Sequence, residues 1–236
     1  MAGSAGVAAS VAAWLGGSLV DSGLKFGFLG VRYVYEALAL SGGIEAALRA
    51  LLRVDFPSFG FALYHEYEPT SNLWETWDCP THRQWLDESS RSHHYQASIN
   101  TFLRKHVAGL DMPAGAAAWG AVAVRPYAAL PLPSDLERAL PHARATLRAH
   151  RGVIEVSWAR AGASASGAFE LNVTLPSGSS GGSVSVPKAG AVSEGGRAVW
   201  AGGAFVPGVP GVLAGVEEEQ WLTFSVTSGA FQFQAS

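Results

Sequence analysis

Two tryptophans flank one glutamate in Leu73-Trp74-Glu75-Thr76-Trp77-Asp78, and a histidine pair follows in Ser90-Arg91-Ser92-His93-His94-Tyr95. Indole faces stack on the apolar faces of a pyranose ring, and an aromatic wall of low dielectric beside a carboxylate tunes its basicity. These residue types therefore suit a pocket that holds a sugar and moves a proton. The plainer reading is a surface carboxylate whose aromatic neighbours belong to the core. Tyr64, Tyr67 and Trp85 add to the aromatic density of 64–94.

Several other chemistries lack their residues. The one Gly-x-Ser-x-Gly match, at 178–182, lies in a glycine-rich loop with no helical pattern after it, so it is no elbow for acyl transfer, and no Gly-x-Gly-x-x-Gly phosphate cradle follows a strand. His65-Glu66 begins like a zinc-protease helix, but position 69 is Pro, which breaks a helix. A zinc site from His93, His94 and His106 is poorly arranged, because adjacent residues on a helix point about 100° apart. The sequence therefore calls for no metal and no cofactor. Glycoside hydrolysis remains, and it needs two carboxyl groups across the scissile bond, one to protonate the leaving oxygen and one to activate water.

The surrounding elements must position those groups. Val7, Val11, Trp14 and Leu15 predict one apolar face on a first helix, interrupted at Gly16-Gly17. Gly27-Phe28-Leu29-Gly30 reads as a turn, followed by a helix over 31–40 with Val31, Tyr35 and Leu38 aligned. Ser41-Gly42-Gly43 joins it to a helix marked by Ile44, Leu48, Leu51 and Leu52, making an αα-hairpin. Residues 61–64 and 71–75 read as short extended segments joined by a turn ending at Pro69, and 79–88 as a loop. Ser89 or Ser90 is placed to cap a helix through Ile99, Phe102, Leu103 and Val107, with His93 and His94 in its first turn and Gly109 at its end.

From about Pro113 the period changes to two. Strands are expected at 121–125, 143–149, 153–158, 169–175, 184–186 and from 221 to 233, with a hairpin turn at Arg151-Gly152 and glycine-rich loops at 177–183 and 201–211. A helical half (1–112) followed by an antiparallel β-sandwich (113–236) makes a two-domain α+β chain.

The order and spacing of these pieces resemble the α-L-rhamnosidases, inverting glycosidases with an (α/α)6 six-hairpin barrel. The matching blocks are Gly27-Phe28-Leu29-Gly30, Phe56-Pro57-Ser58-Phe59-Gly60-Phe61, Glu66-Tyr67-Glu68-Pro69 with the Leu73–Asp78 run, Ser90-Arg91-Ser92-His93-His94, and Val107-Ala108-Gly109-Leu110. The sandwich half also resembles that family's C-terminal domain, at 122–126, 152–158 and 169–176. The resemblance implies that Glu75 is the general base and that His93 binds a sugar hydroxyl near the attacking water. It also implies that Trp74, Trp77 and, more weakly, His94 shape the substrate subsite. Ser92 and Gln96 depart from the family, which usually has Asn where this chain has Ser92 and aromatic residues or Met where it has Tyr95 and Gln96. The family's general acid lies well upstream in a motif ending Gly-Asp, a pair that does not occur here. The expectation is a C-terminal portion of such an enzyme, with a partial barrel, acting on a rhamnose-containing oligosaccharide or glycoside. The alternatives are a non-catalytic carbohydrate-binding or interaction protein derived from a glycosidase, and an enzyme on the same scaffold acting on another sugar.

Composition agrees with a folded, globular chain. The 236 residues are 48% hydrophobic and only 15% charged, enough for a substantial core. The net charge of −3 and the lack of a Lys/Arg cluster argue against a nucleic-acid partner. The uncharged start, 1–20, is mostly Ala, Gly and Ser, which argues against a membrane span and against a leucine-rich secretory leader. One cysteine, Cys79, excludes an internal disulfide.

Overall fold

The computed structural model describes residues 2–65, 72–77, 90–160 and 168–236. The expected loop at 79–88, the turn ending at Pro69, and Tyr67, Cys79 and Trp85 lie outside the described residues. The chain divides into two packed units, Met1–Phe102 and Leu103–Ser236.

The first unit is helical. Its elements are α1 (Ala2–Ser22), α2 (Phe28–Leu40), α3 (Ile44–Leu52) and α4 (Phe59–Leu63). A 3₁₀ turn, His94–Ser98, then runs into α5 (Ile99–Phe102). On α2 the buried line is Val31, Val34, Tyr35, Leu38 and Ala39, the face that its spacing indicates. The α2–α3 hairpin closes when the N–H groups of Ser41 and Gly43 bond to the Ala37 and Leu38 carbonyls, satisfying the last turn of α2. α2 also exposes Leu29, Tyr33 and Leu40 along its opposite side. A helix apolar on two sides is built to lie between layers, as the helices of a barrel do.

Three local expectations are corrected. Gly16-Gly17 does not interrupt α1. A Cβ on Gly16 would sit 3.0 Å from the Ala46 Cβ, so the glycine lets α1 approach α3 closely. That approach buries Gly16 and Leu19 and leaves Val11 and Trp14 exposed, rather than the face predicted through them; the Val7 side chain is not among those described. Residues 61–64 are not extended, because Ser58 caps α4, its Oγ accepting from the Phe61 N–H at 2.9 Å. The His-bearing helix does not start at Ser90, and Ser89 lies outside the described residues. His93 is extended (φ −108°, ψ 111°) and precedes the first turn instead of lying in it.

The second unit opens with a π turn, Leu103–Val107, and its described residues include a 3₁₀ turn, Tyr127–Ala129, and a short helix, α6 (Ser134–Ala139). Its strands form two sheets. One is ordered β1-β2-β6-β11-β10, from Leu110–Asp111, Val122–Val124, Gly182–Pro187, Trp221–Val226 and Val212–Glu217. The other is ordered β3-β4-β5-β12-β7-β8-β9, from His142–Ala149, Gly152–Arg160, Phe169–Leu175, Gly229–Ala235, Val192–Glu194, Arg197–Ala201 and Ala204–Phe205. All pairs are antiparallel except β2 with β6, which is parallel. The strand expected from 221 onward is two strands, split at Thr227-Ser228. The loop expected at 201–211 contains β9.

Val184, Val186, Leu222 and Phe224 from the first sheet, and Ile154, Val156, Leu171 and Phe233 from the second, are buried to within 0% exposure. Phe224 stacks on Phe233 at 5.3 Å, which joins the two sheets into a sandwich. Trp158 on β4 donates from Nε1 to the Val107 carbonyl at 2.8 Å, satisfying its one polar atom while its ring fills the core. Arg125 donates to Ser185, Glu218 and Thr223, a compact polar knot on the first sheet. Among the described residues no helix is long and apolar enough to cross a membrane.

Gly109 shows how tightly this unit begins. Its φ is +87°, its carbonyl accepts from the Arg125 N–H, and a Cβ there would lie 2.4 Å from the Pro126 nitrogen. Gly109→Ala is expected to destabilise the chain by at least about 2 kcal/mol, from left-handed strain plus a backbone clash that no rotamer relieves. Urea denaturation followed by circular dichroism checks this, and an unchanged midpoint would contradict it.

Candidate active site

The site is built by two chain segments that share backbone hydrogen bonds. Glu75 N–H donates to the Ser90 carbonyl at 2.9 Å, and His93 N–H donates to the Leu73 carbonyl at 2.7 Å. The 71–75 segment was expected to be a strand. Its described part is not assigned as one, yet these two bonds lay it alongside 90–93 in ladder fashion. The Ser90 N–H also donates to Glu75 Oε2 at 2.8 Å, so one carboxylate oxygen is held by a backbone donor. Glu75 itself is half-buried.

The alternation of side chains along 73–77 separates two tasks. Trp74 is 3% exposed and packs on Ala62 and Phe61, its ring meeting His65 edge-on at 5.7 Å. It shapes the segment from beneath and offers no open face. Trp77 is half-buried, donates from Nε1 to the Phe26 carbonyl at 2.9 Å, and meets Phe59 edge-on at 5.1 Å. The two indoles fix the height and direction of the residue between them.

His93 sits in an aromatic stack. Phe28 lies 4.3 Å from its ring centroid, His94 stacks at 5.4 Å, and Tyr95 at 5.6 Å. His94 is exposed, while His93 is half-buried with its Nδ1 out of solvent. Among the described residues Nδ1 has no hydrogen-bond partner; neither do Thr76 Oγ1, Ser98 Oγ, the Tyr35 hydroxyl or the two amide atoms of Gln96. Burial also pushes the Tyr35 hydroxyl above its ordinary pKa.

His106, the third histidine considered for zinc, is buried in the second unit with its ring edge-on to Tyr127 at 5.4 Å. Among the described residues no group of three or more His, Cys, Asp and Glu side chains is placed to hold a metal ion. Sequence reasoning missed Phe28, which it placed in a turn, and the peptide group of Ser90. Phe28 carried a signal in its glycine-flanked block, but a contact across so much chain is not written in any local period.

Comparison with known proteins now decides the family. Residues 19–107 match the model of the bacterial α-L-rhamnosidase 6 hairpin glycosidase domain, and residues 109–199 match that of the bacterial α-L-rhamnosidase C-terminal domain. The chain belongs to the α-L-rhamnosidase family. No curated protein sequence matches it. Among solved structures, the α-L-rhamnosidase from Dictyoglumus thermophilum is 23% identical with a TM-score of 0.72, over 92% of this chain and 21% of that one. The α-L-rhamnosidase of Streptomyces avermitilis, solved with L-rhamnose, is 22% identical with a TM-score of 0.66, over 89% of this chain and 18% of that one. That of Aspergillus terreus is 17% identical with a TM-score of 0.66, over 96% and 21%. The chain thus spans about a fifth of the length of the rhamnosidases it resembles. The likeness shows the fold: a helical part of a six-hairpin domain followed by a sandwich.

Gln96 is where this rhamnosidase-family chain departs most clearly from hydrophobic packing. It is 1% exposed, and neither amide atom is paired among the described residues. Gln96→Met keeps the volume and removes both polar atoms, so stability should rise by about 1 kcal/mol. Thermal and urea unfolding of the two proteins check this, and a fall in stability would contradict it.

Proposed function

We propose that this chain carries the general-base side of an inverting α-L-rhamnosidase site, in a helical domain (1–112) joined to a sandwich domain (113–236). Glu75 takes the proton from water as the water oxygen attacks the anomeric carbon. His93 binds a sugar hydroxyl beside that water. Trp74, Trp77 and His94 shape the subsite, the first through packing. The bond to the leaving oxygen breaks in the same step, and a general acid returns a proton to that oxygen. In an inverting site the two carboxyl groups stand about 6.5–9.5 Å apart, with water between them. The acid would come from the part of such an enzyme that this chain does not span. The substrate class is a glycoside or oligosaccharide ending in α-L-rhamnose, and the reaction needs no cofactor.

The observation that carries this reading is the double backbone bridge that sets Glu75 beside the His93 segment. It brings together the two residues to which the family resemblance gives chemical roles. A second reading, a sugar-binding module without turnover, is favoured by the absence of a Gly-Asp pair from the sequence. Loss of a general acid lowers a rate by about 10²–10⁴.

One titration separates these readings. The purified chain should bind L-rhamnose in preference to L-fucose and D-glucose. Its turnover of an aryl α-L-rhamnoside should stand at least about 10²-fold below that of a complete rhamnosidase. Glu75→Gln should abolish that residual turnover while rhamnose binding persists. Equal turnover with and without the substitution would contradict the role of Glu75.

A further inference from the structure

The peptide group and side chain of Ser90 meet both halves of the site. Its carbonyl accepts from the Glu75 N–H at 2.9 Å and its N–H donates to Glu75 Oε2 at 2.8 Å. Its hydroxyl closes on the backbone two residues ahead. Ser90 Oγ donates to the Ser92 carbonyl and lies 3.1 Å from the Ser92 N–H as acceptor. The chain turned by that hydroxyl arrives at His93, whose N–H lands on the Leu73 carbonyl at 2.7 Å. Two hydrogen-bonded bridges, Glu75 with Ser90 and His93 with Leu73, are thus joined into one ring by the chain between them, 73–75 and 90–93.

We propose that Ser90 is a positioning residue that sets Glu75 and His93 relative to each other. A short hydroxyl is the group that reaches its own backbone two residues on; threonine can do the same, and alanine cannot. The backbone donor to Oε2 fixes one carboxylate oxygen and with it the direction of the other. Catalysis is sensitive to such placement, since misplacing a group by about 1 Å can cost about 10²-fold in rate. The inference rests on the roles proposed above for Glu75 and His93, but the geometry it concerns can be measured without turnover.

The experiment is amide hydrogen exchange by NMR on the full chain, with Ser90→Ala and Ser90→Thr, alongside L-rhamnose titration. Ser90→Ala should speed exchange at the Glu75 and His93 amides by about 3- to 10-fold, the worth of one side-chain hydrogen bond. The Val34 and Leu38 amides of α2 should not change, and Ser90→Thr should restore the original rates. Unchanged exchange at Glu75 and His93, uniform acceleration across the chain, or no rescue by threonine would each overturn the proposal. If the parent chain binds L-rhamnose, Ser90→Ala should weaken that binding by a similar factor, and unaltered affinity would also overturn it. If the parent chain binds no rhamnose, the sugar-site reading fails, and the exchange rates still decide whether Ser90 positions the two residues.

Discussion

Two backbone hydrogen bonds, Glu75 N–H to Ser90 and His93 N–H to Leu73, hold the site together. Each alone is modest, worth about 0.5–1.5 kcal/mol net in a folded protein. Their value here is geometric. They tie a segment whose side chains are anchored by two indoles to a segment whose imidazole is anchored by Phe28 and Tyr95. The carboxylate and the imidazole then inherit their positions from rigid neighbours on both sides, which is what a site needs before substrate arrives.

The helical unit supplies that rigidity and also shows what it is part of. Trp77 bonds to the Phe26 carbonyl just before α2, and Phe28 at the start of α2 meets His93. The start of α2 and the residues just before it thus touch both sides of the site. α2 itself is fixed by its buried line and by the hairpin to α3. Its second apolar line, Leu29, Tyr33 and Leu40, lies exposed, as suits a helix drawn from a larger array of hairpins. The buried unpaired atoms of Gln96, Ser98, Thr76 and Tyr35 collect in the same unit. Natural proteins leave few such groups.

Much of this was legible in the sequence where a period could be counted. The 169–175 strand is clear because Glu170, Asn172 and Thr174 alternate with apolar residues along one wet face, and β5 has those limits. The α2 line is clear for the same reason at helical spacing. The short strands Val192–Glu194 and Ala204–Phe205 hold too few residues to show any alternation. Residues 61–64 read as extended because a short apolar run looks alike as strand or helix. The cue was Ser58, whose capping oxygen decides for helix. In α1 the large residues Val11 and Trp14 suggested the buried face, whereas close packing is made by what is smallest, Gly16. At the site, Glu75 and His93 were nameable from motif resemblance. The bridge at Ser90 was not, because its peptide group and its hydroxyl join segments that no local period relates.

The most direct measurement is a crystal structure of this chain grown with L-rhamnose. The account predicts the sugar against His93, with one of its hydroxyls within about 2.6–3.2 Å of the imidazole, and a water at the Glu75 carboxylate. A sugar bound elsewhere, or a Glu75 carboxylate turned away from the bound ring with no water between them, would contradict it.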